Sequence, residues 1–515
     1  MPTTAKELYR QLRVLPWEQL WLQEAARFDR ASPEERSARV ALIRAVGVVF
    51  CESGAPEHKE PVRCWLRALL HDPDEKTRRY AMAALPKIGA GPEDEAELLS
   101  LWRTATSGRE KKFLMQTLEK IGGTATLQIM ANGDPDVLLQ AGQKIKAGLA
   151  RRESPSAVRL DSLLADFSNL RIHLRGRRGL ERIVRDEVEQ SSRARGKFRV
   201  AGVRPGLVAV TPLAPFRLAD LYALRCFGSV GFVIDTFPAA GRAEPGEALA
   251  AAIASPLSRR ILQAFTRGAI RYRLNFVDKG HQRSAVRLLA RRVYALCPEM
   301  LNDARQVTWT ADIYPDGRGH SVELRPNLTP DPRFYYRRQD VPAASHPPLA
   351  ACMARLAGRV QHEIVWDPFC GSGLELIECA LLGGVERIHG TDRSAAAIAI
   401  ARGNFAAAKV DPPPAEFTCC DFRDFATSAG LRPNSVSLVI TNPPMGMRVP
   451  IADLPGLIKD LFNAAATVLR PGGRLVFANP LTVETPHPSL QLQFRQAVDF
   501  GGFDCRLEMY HKRAP

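Results

Sequence analysis

The sequence predicts a chain of three domains, the last of which is an α/β domain with a mostly parallel sheet and helices on both faces. With 515 residues the chain is too long for a single hydrophobic core. Residues 349–515 alternate helix and strand signals, which is the pattern of such a sheet. Residues 165–330 mix strand and helix signals and predict an α+β domain, whereas residues 1–150 show only helical periodicity. Residues 331–348, rich in proline and arginine, predict a connector.

The helical signal of residues 1–150 is clearest in residues 72–89. Asp72 is predicted to cap a helix there, and Gly89 is predicted to end it. Similar helix ends recur at irregular intervals of roughly 30 to 40 residues, so this region resembles degenerate HEAT-type repeats. A short solenoid of this kind usually binds a protein or RNA, but a plain helical bundle that supports the next domain explains the pattern equally well.

Basic side chains cluster at two places in residues 165–330. Arg283, Arg287 and Arg291 lie at i, i+4 and i+8 of a predicted helix and therefore share one of its faces. Three guanidinium groups in a row can follow a phosphate backbone. Arg177 and Arg178 belong to the second cluster. A solvated basic face explains each cluster as well, so RNA contact is one of two interpretations.

A glycine turn marks the first strand of the α/β domain. The apolar residues 364–366 predict a buried strand, Gly371 and Gly373 predict a tight turn, and residues 374–382 predict a helix. Strand, glycine turn and helix in this order are typical of a nucleotide-binding crossover. Glycine has no Cβ, so a ligand can approach the backbone, and the first N–H groups of the helix point towards that ligand.

Three more motifs follow at the ends of predicted strands. Asp392 ends the next strand about twenty residues on, where a ribose-binding carboxylate is expected. Asp421 follows a third strand, and Asn-Pro-Pro at 442–444 follows a fourth. A domain that binds NAD or another nucleotide accounts for the glycine turn and the acids, but it does not explain Asn-Pro-Pro.

Glycine turn, acid, acid and Asn-Pro-Pro in this order resemble class I S-adenosylmethionine-dependent methyltransferases of the amino-methylating type, whose fold is Rossmann-like. Two further features resemble the RNA-gripping part of THUMP-domain RNA (guanine-N2) methyltransferases. One is a helix over residues 178–188 that opens with Arg-Gly-Leu-Glu, and the other is the strand, basic helix, strand, strand run over residues 271–324. The resemblance implies S-adenosylmethionine as the cofactor and RNA as the partner, with tRNA favoured and rRNA possible.

The resemblance also implies which residues bind the cofactor. Asp367 holds the turn or reaches the methionine ammonium group through water. Asp392 accepts from the ribose hydroxyls, and Asp421 accepts from the adenine amino group. The cofactor-binding residues implied in this way are Asp367, Phe369, Cys370, Gly371, Gly373, Asp392, Arg393, Asp421, Phe422 and Asn442.

The catalytic residues that the resemblance implies are Asn442, Pro443, Pro444 and Met445. The exocyclic nitrogen of guanine or adenine is a poor nucleophile because its lone pair is delocalised into the ring. The Asn442 side-chain oxygen and the Pro443 carbonyl can accept its two N–H bonds and hold the lone pair towards the methyl group. Met445 stands where the family usually has tyrosine or phenylalanine. Asn-Pro-Pro, the THUMP-like region and the basic charge make guanine N2 the first expectation. N6 of adenine in DNA or RNA is the second, because Asn-Pro-Pro serves that reaction too, and a non-catalytic RNA-binding scaffold, which Met445 and the helical N-terminal region motivate, is the third.

The composition bears on the partners and the compartment. Lysine and arginine number 71 against 55 acids, and the net charge of +16 favours a polyanionic partner such as nucleic acid. No segment approaches the roughly 18 to 20 apolar residues of a membrane span, so no membrane is expected. The ten cysteines form no Cys-x-x-Cys pair, so no metal is expected. The first residues contain no apolar signal core, which predicts a cytoplasmic protein.

Overall fold

A computed structural model divides the chain into two compact units. The residues it describes are 5–89, 91–130, 142–146, 148–149, 155–238, 245–278, 280, 282–316, 319–342, 344–408, 413–446, 451–481 and 487–514. The first unit comprises Met1–Ala157, Ala240–Ser255 and Thr266–Trp309, and the second comprises Val158–Ala239, Pro256–Phe265 and Thr310–Pro515. The domain limits drawn from the sequence are not tested by this division and stay a prediction.

The N-terminal part of the first unit consists of helices around one apolar core, as the sequence predicts for this region. The core includes Leu42, Leu85 and Leu118. The helices are Ala5–Arg13, Trp17–Gln19, the π-helix Leu20–Ala25, Ala26–Asp29, Pro33–Ala38, Ala41–Ser53, Lys59–Leu69, Glu75–Ile88, Pro92–Thr104, Gly108–Ile121 and Thr124–Met130, with a 3-10 turn at Pro56–His58. Membership of the HEAT-type repeats stays a prediction.

The helix Glu75–Ile88 begins later than its predicted cap implies. Asp74 is the N-cap rather than Asp72, because the Asp74 carboxylate accepts a hydrogen bond from the Thr77 N–H at 2.8 Å. Asp72 instead accepts a hydrogen bond from the N–H of Asp74 at 2.9 Å, in the turn that precedes the helix. Gly89 ends the helix as predicted, with a φ of +88° that suits glycine.

The remainder of the first unit is mixed helix and strand. Its helices are Pro245–Ile253 and Arg283–Leu296, and its strands are Thr266–Arg267, Ile270–Phe276 and Met300–Asn302. The last two strands pair in parallel. Among the described helices of the whole chain, none has the length and hydropathy that a membrane span requires.

The second unit opens with an antiparallel sheet. In their order across the sheet, the strands are Trp309–Asp316, Gly319–Pro326, Ser229–Pro238, Arg171–Arg175, Leu207–Pro212 and Phe198–Arg204. They are accompanied by helices Glu181–Gln190, Leu218–Leu221 and Pro256–Phe265 and by the short strands Ala157–Val158, Leu163–Leu164 and Phe216–Arg217. The helix predicted over residues 178–188 begins only at Glu181. Gly179, with a φ of +99°, belongs to the turn before it.

The C-terminal part of the second unit has the predicted α/β architecture. Its strands are β1 (Glu363–Asp367), β2 (Val385–Asp392), β3 (Ala415–Cys419), β4 (Val436–Thr441), β5 (Leu469–Asn479), β6 (Leu490–Asp499) and β7 (Asp504–Lys512). Its main helices are α1 (Pro347–Ala357), α2 (Leu374–Leu382), α3 (Ala395–Ala407) and α4 (Leu454–Val468), with short turns at Pro332–Phe334, Phe422–Asp424 and Phe425–Ser428. The strand order is β3-β2-β1-β4-β5-β7-β6. The first five strands are parallel, and β7 is antiparallel to β5 and β6.

Two details mark the end of this sheet. Residues 470–473 form an insertion inside β5, where the register jumps from Leu469 opposite Val436 to Arg474 opposite Leu438. Residues 504–512 form the second strand of a long hairpin, because β6 pairs with β7 from residue 490 onwards. Half of the residues of β6 are exposed, and its sequence lacks the apolar alternation that predicts a strand.

Candidate active site

Polar side chains from four strands converge on one edge of the parallel sheet. β1 lies between β2 and β4, so the strand order reverses direction there. In open α/β sheets a ligand binds in the crevice at such a point, outside the carboxyl ends of the strands. Asp367 and Asp392 are the last residues of β1 and β2. Asn442 directly follows β4, and Asp421 follows β3, so the sequence motifs meet at this edge as predicted.

The glycine turn after β1 exposes its backbone at Gly371 and Gly373 and is hydrogen-bonded to the last residue of β2. The N–H of Gly371 donates to Asp392 Oδ2 at 3.0 Å. Gly371 and Gly373 have φ angles of +50° and +82°, a region that other residues enter only with strain. A Cβ at Gly373 would stand 3.3 Å from the Cβ of Ala401, so α3 packs directly against the turn.

Asp367 is fully buried at the end of β1. Its Oδ1 accepts from the Phe369 N–H at 3.0 Å and from the Thr441 hydroxyl at 2.5 Å. Its Oδ2 is buried and finds no hydrogen-bond partner among the described residues. Burial, followed by the charge of Glu375, raises the pKa of Asp367 well above its usual value. A ligand group with N–H bonds or a positive charge beside Oδ2 would offset this desolvation cost.

The acids that follow β2 and β3 have different surroundings. Asp392, which binds the glycine turn, also accepts from the Ser394 N–H at 2.9 Å, and each of its oxygens keeps further acceptor capacity. Asp421 is paired with the Arg423 guanidinium at 3.1 Å. Arg393 is 81% exposed and lies 3.9 Å from Asp421. A ligand that binds Asp421 must therefore share it with Arg423.

The aromatic and thiol residues of the motifs are packing elements. The rings of Phe369 and Phe422 lie with their centroids 4.7 Å apart, and Phe422 is buried. Cys370 is buried and donates its backbone N–H to the Thr391 carbonyl at 2.9 Å. Burial raises the pKa of the Cys370 thiol well above its usual value, so the thiol is neutral and is not an activated nucleophile.

The Asn-Pro-Pro segment presents a preoriented amide. Asn442 Nδ2 donates to the Ser345 hydroxyl oxygen at 2.8 Å. Asn442 Oδ1 is buried and has no hydrogen-bond partner within the part of the chain that the structure describes. Pro443 and Pro444 fix their own φ angles and lack N–H donors, which stiffens the segment. Because a buried acceptor without a donor is costly, Oδ1 is suited to accept an N–H bond from a ligand.

Met445 is half-buried after the two prolines. The Cys505 thiol of β7 donates to its sulfur at a separation of 3.5 Å. This contact holds the methionine side chain towards β7. Methionine is flexible and polarizable, so it can pack on a flat group with less specificity than an aromatic ring.

Sequence reasoning missed polar residues that complete the site. The Ser345 hydroxyl donates to the Glu375 carboxylate and, through its oxygen, accepts from Asn442. The Ser372 hydroxyl donates to Asp340 at 3.1 Å, which ties the connector to the glycine turn. An acid inside the apolar run of α2 is the signal that could have identified Glu375. Ser345 and Asp340 lie in an irregular connector, where no periodicity marks them.

The arginines of the 177–178 cluster contact the β6–β7 hairpin. Arg177 donates to the Asp499 carbonyl at 2.9 Å, and Arg178 pairs with the Asp504 carboxylate at 3.1 Å. Arg177 and Arg175 also line a cavity of about 270 Å³. These contacts connect the antiparallel sheet with the α/β part of the same unit, a role that the sequence did not indicate. Contact of Arg177 and Arg178 with RNA stays a prediction.

The cluster of Arg283, Arg287 and Arg291 lies on the helix Arg283–Leu296, as predicted. Leu289 and Val293 are buried. Arg283 and Arg287 are exposed, and Arg291 is half-buried. The helix therefore buries apolar residues on one side and exposes Arg283 and Arg287 on the other, while contact with RNA stays a prediction.

The arrangement at the sheet edge is suited to binding and orienting. It offers buried acceptors on Asp367 and Asn442, a carboxylate at Asp392 and a turn without side chains. Across the described ranges, no group of three or more histidine, cysteine, aspartate or glutamate side chains could hold a metal ion. These groups suit the transfer of a group between two bound molecules, each oriented by hydrogen bonds.

Comparisons with known proteins match this region of the chain. Residues 335–488 match the model of the UPF0020 family, described as an RMKL-like methyltransferase domain. A curated relative, tRNA (guanine(10)-N2)-dimethyltransferase of Methanothermobacter thermautotrophicus, is 28% identical over 187 residues, which cover 36% of this chain and 49% of the relative. The chain thus spans about half the length of the curated relative it matches. These matches confirm the resemblance to methyltransferases that the motifs indicate.

Solved structures share the fold. TrmN from Thermus thermophilus has a TM-score of 0.53 and 20% identity, and the alignment covers 67% of this chain and 100% of TrmN. SMU.472, solved in complex with SAH, has a TM-score of 0.50 and 14% identity, with coverage of 69% of this chain and 100% of that protein. At these identities the likeness is one of fold, and it confirms the predicted Rossmann-like architecture.

Proposed function

We propose that this chain transfers a methyl group from S-adenosylmethionine to the exocyclic N2 of a guanine in RNA, with tRNA as the first candidate substrate and rRNA as the second. The proposal is carried by Asn442 Oδ1, a buried amide oxygen for which the described part of the chain supplies no hydrogen-bond partner. The name of the curated relative, a tRNA (guanine(10)-N2)-dimethyltransferase, supports both the base and the RNA.

The residues at the sheet edge fit the cofactor part by part. S-adenosylmethionine supplies an electrophilic methyl group on a sulfonium centre. The glycine turn lets the methionyl part lie against backbone, and Asp367 Oδ2, which no described residue satisfies, suits its ammonium group. Asp392 suits the ribose hydroxyls as an acceptor, as in other crossovers of this type. Phe369 and Phe422 offer apolar surface beside the expected adenine position.

The target amine is oriented by the segment after β4. Asn442 Oδ1 and the Pro443 carbonyl accept the two N–H bonds of the amino group, so its lone pair points towards the methyl donor. Because the prolines hold the backbone rigid, these acceptors need no reorganisation when the base arrives. Met445 packs beside the base.

Methyl transfer from radiolabelled S-adenosylmethionine to bulk tRNA, rRNA and DNA tests the proposal. Nucleoside analysis of the product should find N2-methylguanosine in RNA. N6-methyladenosine in DNA or RNA would instead support the adenine alternative. If calorimetry showed no binding of S-adenosylmethionine and no acceptor were methylated, the chain would be a scaffold and the proposal would be wrong.

Substituting Gly373 with alanine should weaken the binding of S-adenosylmethionine about 10-fold, since a left-handed residue costs roughly 1 to 2 kcal/mol. The new Cβ also stands 3.3 Å from the Cβ of Ala401, so the turn must shift. Isothermal titration calorimetry measures the dissociation constant. The matched control is Gly403→Ala, since a Cβ there meets nothing within 4 Å. Equal affinities in the two variants would contradict the placement of the cofactor at the turn.

The double substitution Arg283→Gln and Arg287→Gln should weaken tRNA binding and flatten its salt dependence. For each phosphate that the variant no longer binds, the slope of log K against log salt should become shallower by roughly 0.7 to 0.9. Filter binding at several salt concentrations measures this slope. Arg432→Gln is the control, because Arg432 is exposed and precedes β4, at the opposite edge of the sheet from the crevice. Unchanged slopes in the double variant would show that this helix face is only solvated.

A further inference from the structure

A chain of three hydrogen-bonded side chains extends from the interior of the α/β domain to the crevice. Glu375 of α2 is buried, with 3% exposure. Its carboxylate accepts from the hydroxyl of Ser345, which is also buried. The Ser345 oxygen accepts from Asn442 Nδ2 at 2.8 Å. The other end of the Asn442 amide, Oδ1, meets no hydrogen-bond donor from the described ranges of the chain.

The chemistry of these three side chains determines which of them donates and which accepts in each hydrogen bond. An ionised carboxylate only accepts hydrogen bonds, so the single hydroxyl proton of Ser345 must point to Glu375. The Ser345 oxygen can then only accept, and it takes an N–H from the Asn442 amide. Of the two ends of that amide, the NH₂ end is held by Ser345 and the oxygen end is left for the ligand.

The reverse orientation of the amide would be unproductive. With the NH₂ end in the crevice, Asn442 would face the N–H bonds of the target amino group with its own N–H bonds. Two donors cannot satisfy each other, and both would be left unpaired in a water-poor site. An asparagine without a fixed partner can adopt either orientation, because its oxygen and NH₂ ends have nearly the same shape.

We propose that Ser345 and Glu375 are positioning residues that fix the orientation of the Asn442 amide, so that its oxygen meets the amino group to be methylated. This inference rests on the proposed function, because it assigns Asn442 the target amine. It gives a role to a buried acid that would otherwise only cost desolvation energy inside the apolar face of α2.

The carboxylates around Glu375 bear on its charge state. Asp367 of β1 lies close enough for the charge of Glu375 to raise its pKa, and Glu378 lies on α2 itself. Burial and then the charge of Glu378 raise the pKa of Glu375, while the hydrogen bond from Ser345 lowers it. The net effect raises the pKa of Glu375, and the Ser345 hydroxyl, which donates to its carboxylate, opposes that shift and favours the ionised form.

The test compares Ser345→Ala with the wild type in steady-state methylation of tRNA. Removing the hydroxyl should lower kcat roughly 10- to 100-fold, as expected for a misaligned reacting group. The KM for tRNA and the dissociation constant of S-adenosylmethionine should change by no more than about two-fold, the usual scatter for sites that do not interact. Glu375→Gln should also lower kcat, because an amide can both donate and accept and no longer fixes the direction.

Ser437→Ala is the matched control for the loss of a buried serine hydroxyl. Ser437 lies in β4 and bonds with the backbone of Ile364 at 2.8 and 3.1 Å, at the end of the strand opposite Asn442. This variant should keep the wild-type kcat. A loss equal to that of Ser345→Ala would show that any buried cavity in this domain slows the reaction, and the positioning role would be refuted.

A double-mutant cycle separates this proposal from the proposed function. Ser345→Ala should have no further effect in the Asn442→Ala background, because the hydroxyl acts through the amide. A further loss there, or an unchanged kcat in Ser345→Ala when Asn442→Ala is impaired, overturns the positioning role and leaves the proposed function standing. An unchanged rate in Asn442→Ala itself overturns the assignment of the amine to Asn442, on which both depend.

Discussion

Replacing Asn442 with alanine should lower kcat for RNA methylation about 100- to 1,000-fold, the range seen when one preorganised hydrogen-bonding group is removed from an active site. The amide oxygen is buried and accepts no hydrogen bond from any residue that the structure describes, so it needs no reorganisation when the amino group arrives. Truncation leaves the Pro443 carbonyl as the remaining acceptor of the segment. Single-turnover methylation with saturating S-adenosylmethionine and tRNA measures the chemical step directly.

The matched control is Asn463→Ala on the exposed face of α4. That variant removes the same side chain at a distance from the crevice and should keep the wild-type rate. If Asn442→Ala changed only the KM for RNA, the amide would contribute uniform binding and not orientation. A wild-type rate in Asn442→Ala would refute the proposed mechanism.

Replacing Arg225 with methionine should lower the free energy of unfolding by about 3 kcal/mol, because removal of one partner leaves a buried charge without compensation. Arg225 binds both oxygens of the Glu378 carboxylate at 2.7 Å. The Glu378 side chain is only 2% exposed. The Tyr336 hydroxyl also donates to this carboxylate, so one donor would remain. Differential scanning calorimetry measures the resulting fall in the Tm of the unit that contains all three residues.

Two further variants test the cause of this destabilisation. Arg185→Met removes an arginine from a partly exposed pair with the neighbouring Asp186 and should leave the Tm unchanged within error. Adding Glu378→Leu to Arg225→Met should recover part of the loss, because no buried carboxylate then lacks its cation. If the double variant were no more stable than Arg225→Met, lost packing of the guanidinium, rather than an uncompensated charge, would be the cause.

The sequence predicted well those elements whose signal lies within a short run of consecutive residues. β4 is buried at all six of its positions, and it ends directly before Asn-Pro-Pro at 442–444, as predicted. The helix Leu374–Leu382 begins directly after Gly373, as the glycine turn indicated. By contrast, β6 was missed because an exposed edge strand needs little apolar patterning.

The candidate site divides in the same way. The sequence by itself determined that Asp367 and Asp392 end strands and that Asn442 follows one, because each motif is adjacent in sequence to the strand it belongs to. Only the tertiary structure decided that Glu375, Ser345 and Asn442 are joined by hydrogen bonds, and that Arg177 is bound to the β6–β7 hairpin 322 residues away. The physical reason is that periodicity and turn chemistry act between near neighbours in the chain. A hydrogen bond between distant residues exists only once packing has brought their elements together.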